Sequence, residues 1–587
     1  MRFTEYILSG FKVLDSSMDR SRNYQFIGFD KPESQPPADA TMHHAVQAPV
    51  KHAMRKILLH NEFVHITTKF KRSTIDDSSI TEAFFKGDLP YHKVPKDGSY
   101  QRALAATMQV FAPQVPIKPV HYCDLRYYPW KLRPSAELPF TDDPALFKRV
   151  QHAAERKQIP DKRMSFGNLY NHIFEYLRPI IHYIKNGPFH LPFKTSWPQD
   201  DYLTPMRSHA RSAIQPISDP NKVRFVYGYP KVGIFPQAMF FWPLFVYYHI
   251  TGQSPLLWGY ETMTGGWYRL NHELRSTPGI SGSILELDWQ GFDIHALFEV
   301  FDDIKNLSWS FFDCSHGYQP TKDYQGTSCD PDRLKNLWEW IWFSIKYTPI
   351  RLPDGRLFRR SWRGVPSGLF ITQWLDSVYN CIMIFTILDA MGFEITSDLI
   401  IKVLGDDSLT RLRLLIPYDQ HEAFTIRFKH LAQYYFDAVL SDKKSRIHNT
   451  LNGVKCLGYR NNNGLPVRDR ESLLTALLYP KARRPTFEQL KARCIGIAYA
   501  SAGNDPTTLE VCKDVYDYLD AKGIKADPAG LADLFDPNLG LDIDITFFPN
   551  ILTIQRSLLI LRDSREQAHR MWPTSHFLSP IPGLVDI

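Results

Sequence analysis

Cysteine is scarce in this chain and poorly placed for a structural role. The seven residues Cys123, Cys314, Cys329, Cys381, Cys456, Cys494 and Cys512 are scattered, odd in number and nowhere spaced as C-x-x-C. That argues against a disulfide framework or structural zinc and for free thiols in a reducing compartment. Long apolar runs are missing too. The longest, "IFPQAMFFWPLFVYYHI" at 234–250, is broken by prolines and falls short of the about 18–20 residues a membrane span needs. It reads as a buried helix, and the chain as soluble with no membrane partner. The opening "MRFTEYILSGFKVLDSS" carries Glu5 and Lys12 inside its apolar stretch, which makes a poor signal peptide. Charge of one sign is also lacking: 69 basic against 62 acidic residues leave only +7, which allows a polyanionic partner without requiring one. No internal repeat is visible.

What is present is apolar mass. Apolar residues make up 44% and aromatics 14% of 587 residues, enough for a large core and against global disorder. The length suggests about three or four folding units. Up to about residue 280 the chain is mixed. A proline-bearing stretch, "DKPESQPPADATMHH", precedes "KHAMRKILLHNEFVHITTKFKR", which reads as a solvated basic helix face in preference to an RNA contact.

From Ser283 the pattern sharpens. "SILELD" alternates as a half-buried strand ending at Asp288. "WQGFD" turns, and "IHALFEVFDDI" predicts one helix with Ile294, Leu297, Phe298, Phe301 and Ile304 on a face. A hairpin turning at Asp354-Gly355 follows, then a long helix from Thr372. "IIKVLGDDSLTRL" predicts strand, turn and strand around Asp406-Asp407. A helix, the hairpin "GVKCLGYRNNNGLPVRD" and a largely helical region come next. The closing "MWPTSHFLSPIPGLVDI" reads as an extended tail, either plugging a channel or packing on the last helices.

Two acidic sites carry the chemistry: Asp288 with Asp293 five residues on, and Asp406-Asp407. Adjacent carboxylates raise each other's pKa, so either a strongly positive partner sits between them or they are splayed into water. Magnesium prefers carboxylate and phosphate oxygens, and two such ions clamp the attacking and leaving oxygens of phosphoryl transfer. Between the acids, "GVPSGLFITQWLDSVYN" supplies Ser367-Gly368, a tight loop that lets backbone approach a sugar or phosphate. Thr372, Asp376 and Asn380 then recur every fourth residue as a polar stripe suited to reading a ribose. Upstream, Lys222 and Arg224 alternate along a strand, with Arg211 before and Lys231 after, as a set of cations for a triphosphate. Lys443 and Lys444 follow the aspartate hairpin, where an ammonium could protonate leaving pyrophosphate.

In order, the stretches "KVRFVYGYPK", "LDWQGFD", "GVPSGLFITQWLDSVYN", "GDDS" and "CLGYRNNNGLPVRD" resemble the motifs of viral RNA-dependent RNA polymerases. They are most similar to those of the partitiviruses, segmented double-stranded RNA viruses of fungi and plants. The resemblance covers roughly 205–470. It implies an α+β right-hand polymerase with fingers, palm and thumb, closed by fingertips. The N-terminal extension and fingers would take 1–280, the palm 281–315 and 361–475, a fingers insertion 316–360, and a helical thumb with C-terminal tail 476–587. Asp288, Asp406 and Asp407 would bind two Mg²⁺ ions, with Mn²⁺ as the alternative. Asp293, Ser367, Gly368, Thr372 and Asn380 would select the ribonucleotide, and Lys222 and Arg224 would hold its triphosphate. Gly458 and Tyr459 would lie near the primer-grip hairpin. Many positive-strand relatives have asparagine at the position of Asp376, so the sugar network here is wired differently. Partners would be template and product RNA, NTPs and a capsid protein, inside a virion in the host cytoplasm. Two rival readings are a reverse transcriptase, which usually carries aromatic-x-Asp-Asp, and a structural RNA-binding subunit with vestigial acids.

Overall fold

A computed structural model describes residues 20–33, 40–187, 202–275, 282–325, 329–396, 399–531, 543–560 and 564–578. The extreme N-terminal stretch, part of the proline-bearing stretch and the last nine residues of the tail lie outside them.

The alternating strand predicted before Asp288 forms as Ile284–Leu287 and lies inside a four-stranded antiparallel sheet. The sheet order is Leu399–Leu404, Asp407–Leu412, Ile284–Leu287, Arg446–His448. Alternation sorts its side chains between two cores. Leu285, Leu287, Ile401 and Val403 join the larger core, with helices Thr372–Ala390 and His421–Phe436. Ile284 and Leu409 join a second core built from Arg470–Leu478, Phe487–Ala500 and Pro506–Ala521.

A five-stranded sheet, in the order Tyr24–Phe29, Arg356–Arg360, Ile350–Arg351, Met206–Ser212, Val223–Gly228, stands beside the first. The predicted turn at Asp354-Gly355 is there, with Gly355 at φ +87°. The aromatic run forms the helix Lys231–Thr251, buried from Val232 to Tyr248 except Ile234 and continuous through Pro236 and Pro243. No helix among the described residues is long and apolar enough to cross a membrane.

Three expectations need correction or completion. The single helix over "IHALFEVFDDI" is two, Phe292–His295 and Phe298–Ser308. The backbone at the break pairs elsewhere: Leu297 N–H donates to the Tyr379 hydroxyl, and Ala296 C=O accepts from Gly364. The basic N-terminal segment keeps a solvated face, with Arg55, Lys56 and His60 exposed, but it is not free on its other side. Its helix Ala40–Ile57 packs Val46, Val50, Ala53 and Met54 into the second core, and Lys56 pairs with Asp514. His65–Glu471, Arg470–Glu62 and Arg72 donating to the Tyr479 carbonyl extend that contact, so residues 40–72 meet residues 470–521. The described part of the tail, 572–578, follows directly on the helix Ser564–Met571 and packs on the first half of the chain. Trp572 and Phe577 are buried in the larger core, Trp242 Nε1 donates to the Met571 carbonyl, and His576 meets the buried Asp124 at 2.9 Å. Each large apolar side chain buried this way contributes about 1.5–3 kcal/mol.

Candidate active site

Strands Leu399–Leu404 and Asp407–Leu412 pair from Leu399↔Leu412 to Leu404↔Asp407, leaving Gly405 and Asp406 as a two-residue turn. Gly405 takes φ +67°, a conformation that suits glycine. Only Asp406 is therefore at the tip, while Asp407 begins the strand. That strand pairs in turn with Ile284–Leu287, the last partners being Ser408 and Leu287. One step further on, Asp407 faces Asp288. Three carboxylates from two segments distant in sequence thus share one end of one sheet.

Their electrostatics follow from crowding, although Asp406 and Asp407 are still exposed to solvent. Burial raises Asp406, and Asp288 adds to it. Burial, Asp406 and Asp288 together push Asp407 up to about 6. Burial and Asp406 raise Asp293. Asp376 is raised furthest, by burial and then by Asp293 and Asp406, and its Oδ1 is buried without a hydrogen-bond partner. Two cations answer this charge. Lys444 Nζ lies 3.0 Å from Asp288 Oδ1, and Arg224 lowers Asp293, Asp406 and Asp407. Among the described residues no group of three His, Cys, Asp or Glu side chains is arranged to hold a metal ion by itself. An open set of carboxylates from adjacent strands still suits a hard cation that keeps water and phosphate oxygens as its other ligands.

The helix Thr372–Ala390 carries the turn from below. Ser377 Oγ accepts from Gly405 N–H at 2.8 Å. Asn380, fully buried, donates from Nδ2 to the carbonyls of Gly405 and Asp406 at 3.0 Å each, and its Oδ1 accepts from Trp289 Nε1 at 2.9 Å. This corrects Asn380 as a sugar reader: all its hydrogen bonds go to holding the two acidic segments together. Thr372 Oγ1 is likewise turned to the backbone, donating to Pro366 O at 3.0 Å and Leu369 O at 3.3 Å, and so pins the loop that carries Ser367. Ser367 is exposed and its Oγ accepts from Tyr227 N–H. A Cβ on Gly368 would stand 2.2 Å from the Tyr227 carbonyl, so only glycine fits.

The cation set divides. Arg211 and Arg224 are cross-strand partners, both exposed, and Lys222 is exposed on the Arg224 face. Like charges directly opposite destabilise a sheet unless an anion lies over them. Lys231 does not belong with them. It is buried in the first turn of the aromatic helix, donates to Ser135 O and faces Glu137, and burial drops it to about 8. Lys443 is exposed, and only its neighbour Lys444 reaches the acids. Ser377 was missed because serine on an apolar helix carries no signal. So was Ser445, whose Oγ accepts from Asp288 N–H at 3.0 Å.

Residues 208–520 match the family model of the viral RNA-dependent RNA polymerase. The chain is 37% identical to the RNA-directed RNA polymerase of White clover cryptic virus 1, a partitivirus, over 99% of this chain and 100% of that one. It is 28% identical to the RNA-directed RNA polymerase of Atkinsonella hypoxylon virus, over 78% and 74% of the two. Among solved structures, the Sicinivirus 3Dpol RNA dependent RNA polymerase superposes at TM-score 0.59 with 14% identity, covering 87% of this chain and 100% of that one. The right-hand fold is thereby shared.

Proposed function

This chain belongs to the viral RNA-dependent RNA polymerase family and is an RNA-directed RNA polymerase, and we propose that it works by two-metal nucleotidyl transfer on a segmented double-stranded RNA genome. The observation that carries the mechanism is the strand register that sets Asp407 across from Asp288 with Asp406 at the adjoining turn. Asp288, Asp406 and Asp407 would hold a pair of divalent ions, Mg²⁺ or Mn²⁺. Such ions lower the pKa of the attacking hydroxyl and offset charge on the leaving oxygens.

The chain's own residues supply the rest. Arg224, Arg211 and Lys222 hold the triphosphate. The RNA 3′-hydroxyl loses its proton to solvent and forms a new P–O bond to the α-phosphate, and the bond from that phosphorus to the bridging oxygen of pyrophosphate breaks. Lys444, free to leave Asp288, delivers a proton to that oxygen. Asp376, buried beside Asp293 without a partner, gains one when the ribose arrives. Ser367 and the Gly368 backbone approach the sugar.

Palm, fingers and thumb keep the boundaries given above, although the N-terminal helix and the tail pack across them. Work inside a capsid, transcribing and replicating within a virion in the host cytoplasm, belongs to the same proposal and rests on the resemblance of the motifs to those of the partitiviruses. The convergence of the acids speaks against a subunit with vestigial sites.

Primer extension on an RNA template with labelled nucleotides and Mg²⁺ tests the reading. Ribonucleotides should be incorporated well ahead of deoxynucleotides. No incorporation, or a preference for deoxynucleotides, would overturn it.

A further inference from the structure

Outside residues 208–520 lies a surface whose charge the fold does not answer. The helix Pro144–Glu155 buries Leu146 and Val150 in the larger core. It turns Lys148, Arg149 and His152 outward, with Arg156 at its C-cap. At 3.6 residues per turn these four span an arc of about 100°. Lys157, just past the helix at φ +57°, is exposed, and so is Arg133 on the preceding loop.

Every acid of the segment is already engaged. Asp124 meets His576, Glu137 meets His209, and Asp142 meets Arg351. Asp143 caps the helix through Ala145 and Leu146, Glu155 holds Lys162, and Asp161 holds Arg163. Among the described residues Arg133, Lys148, Arg149, Arg156 and Lys157 are left with no carboxylate at ion-pair distance. None of them is among the charges acting on Asp406 or Asp407, so this is not the catalytic cavity.

Two features choose among polyanions. Phe147 is exposed beside Lys148 and Arg149, and Tyr127, stacked on His576 by one face, leaves the other side exposed. Aromatic faces near basic groups suit nucleic-acid bases better than acidic peptide. The preceding loop also leads to the site: the rings of Tyr128 and Trp130 pack on Phe370 at 5.4 and 6.2 Å, beside Gly368.

We propose that the outer face of helix Pro144–Glu155, with Arg133, Arg156 and Lys157, is an accessory site for RNA backbone phosphates that holds RNA outside the catalytic cavity irrespective of sequence. The proposal rests on the polymerase reading for the identity of its ligand. A solvated basic face is the plain alternative, and it predicts no effect on RNA.

The test is the full-length quadruple variant Lys148→Glu, Arg149→Glu, Arg156→Glu and Lys157→Glu, with the corresponding glutamine set as a milder partner. Binding of labelled RNA of about 20 nucleotides, single-stranded or duplex, is measured between about 50 and 200 mM salt. Affinity at the low end should fall at least about tenfold, and the slope of log K against log salt should shrink by about 3 if four phosphate contacts are lost. The template KM should rise while kcat and the NTP KM stay put. A loss confined to one RNA form supports the site and identifies that form.

Unchanged affinity and slope in the glutamine set overturn the proposal even if the glutamate set misfolds. So does loss of poly-glutamate binding with RNA binding intact. Wild-type extension run alongside separates the two readings: no extension with a charge-dependent RNA affinity would sink the polymerase assignment and leave this site standing.

Discussion

Arg351 and Asp406 both belong to strand edges crowded with charge, yet their surroundings are built on opposite terms. Arg351 is 2% exposed and is met by Asp30 at 3.3 Å, Glu33 at 2.8 Å and Asp142. Glu33 is shared with Arg207. The buried charge there is met several times over. Around Asp406, by contrast, Asp288, Asp293, Asp376 and Asp407 gather against Lys444 and Arg224. Buried charge that serves the fold is paired, because an unpaired ion in a low dielectric costs several kcal/mol. Charge left in deficit belongs to a ligand.

The largest expected effect falls on the second region. Asp406→Ala should cut primer extension by at least about a thousandfold, roughly 4 kcal/mol of lost transition-state stabilisation. It should leave RNA affinity and the melting temperature unchanged or slightly raised, since it relieves repulsion. Arg351→Met should do the reverse. Stripping the cation from three carboxylates should cost about 3–5 kcal/mol of stability, read as a lower denaturant midpoint, with extension per folded molecule intact. If both variants lost stability alike, the distinction between the two regions would fail.

A finer division runs inside the active site, between groups that wait for substrate and groups already committed. Asn380→Ala removes two bonds to the Gly405–Asp406 turn and one to Trp289. At about 1 kcal/mol or somewhat more per buried bond, kcat should fall about tenfold to a hundredfold. The preference for ribonucleotides over deoxynucleotides should hold. Asp376→Asn should shift that preference. A shifted preference in Asn380→Ala would restore it as a sugar reader.

What the sequence made legible is what local pattern encodes. Period-two alternation up to Asp288, glycine before Asp406, and the Asp354-Gly355 turn each fix geometry within a few residues, and all appear as expected. The larger misreadings came where a partner lies far along the chain. The basic face of the segment at 51–72 is legible, but Ala53 and Met54 on its other side find their cover only in residues 470–521. Lys231 follows a basic strand and reads as one more surface cation, but the helix it opens is buried on every side, and Glu137, far upstream, receives it. Asn380 lies on the stripe predicted for it. The stripe gave its face and not its partner, and the hairpin backbone had already taken the amide.

The smallest effect is also the most direct probe of the charge deficit. Asp407 is pushed up from an ordinary 3.8 to about 6 by burial and by Asp406 and Asp288. The folded protein therefore binds its proton more tightly than the unfolded chain does. The stability this confers is complete below about pH 4 and is lost as pH rises through about 6. A divalent cation competes with that proton and replaces what is lost. Mg²⁺ should thus raise the melting temperature by a few degrees at pH 7.5 and by less at pH 5, following mass action on the folded state alone. Asp407→Asn should flatten the difference, while Arg351→Met, whose carboxylates lie elsewhere, should retain it. Equal Mg²⁺ shifts at the two pH values would mean that the acids at the hairpin do not share the ion, and the contrast with Arg351 would lose its meaning.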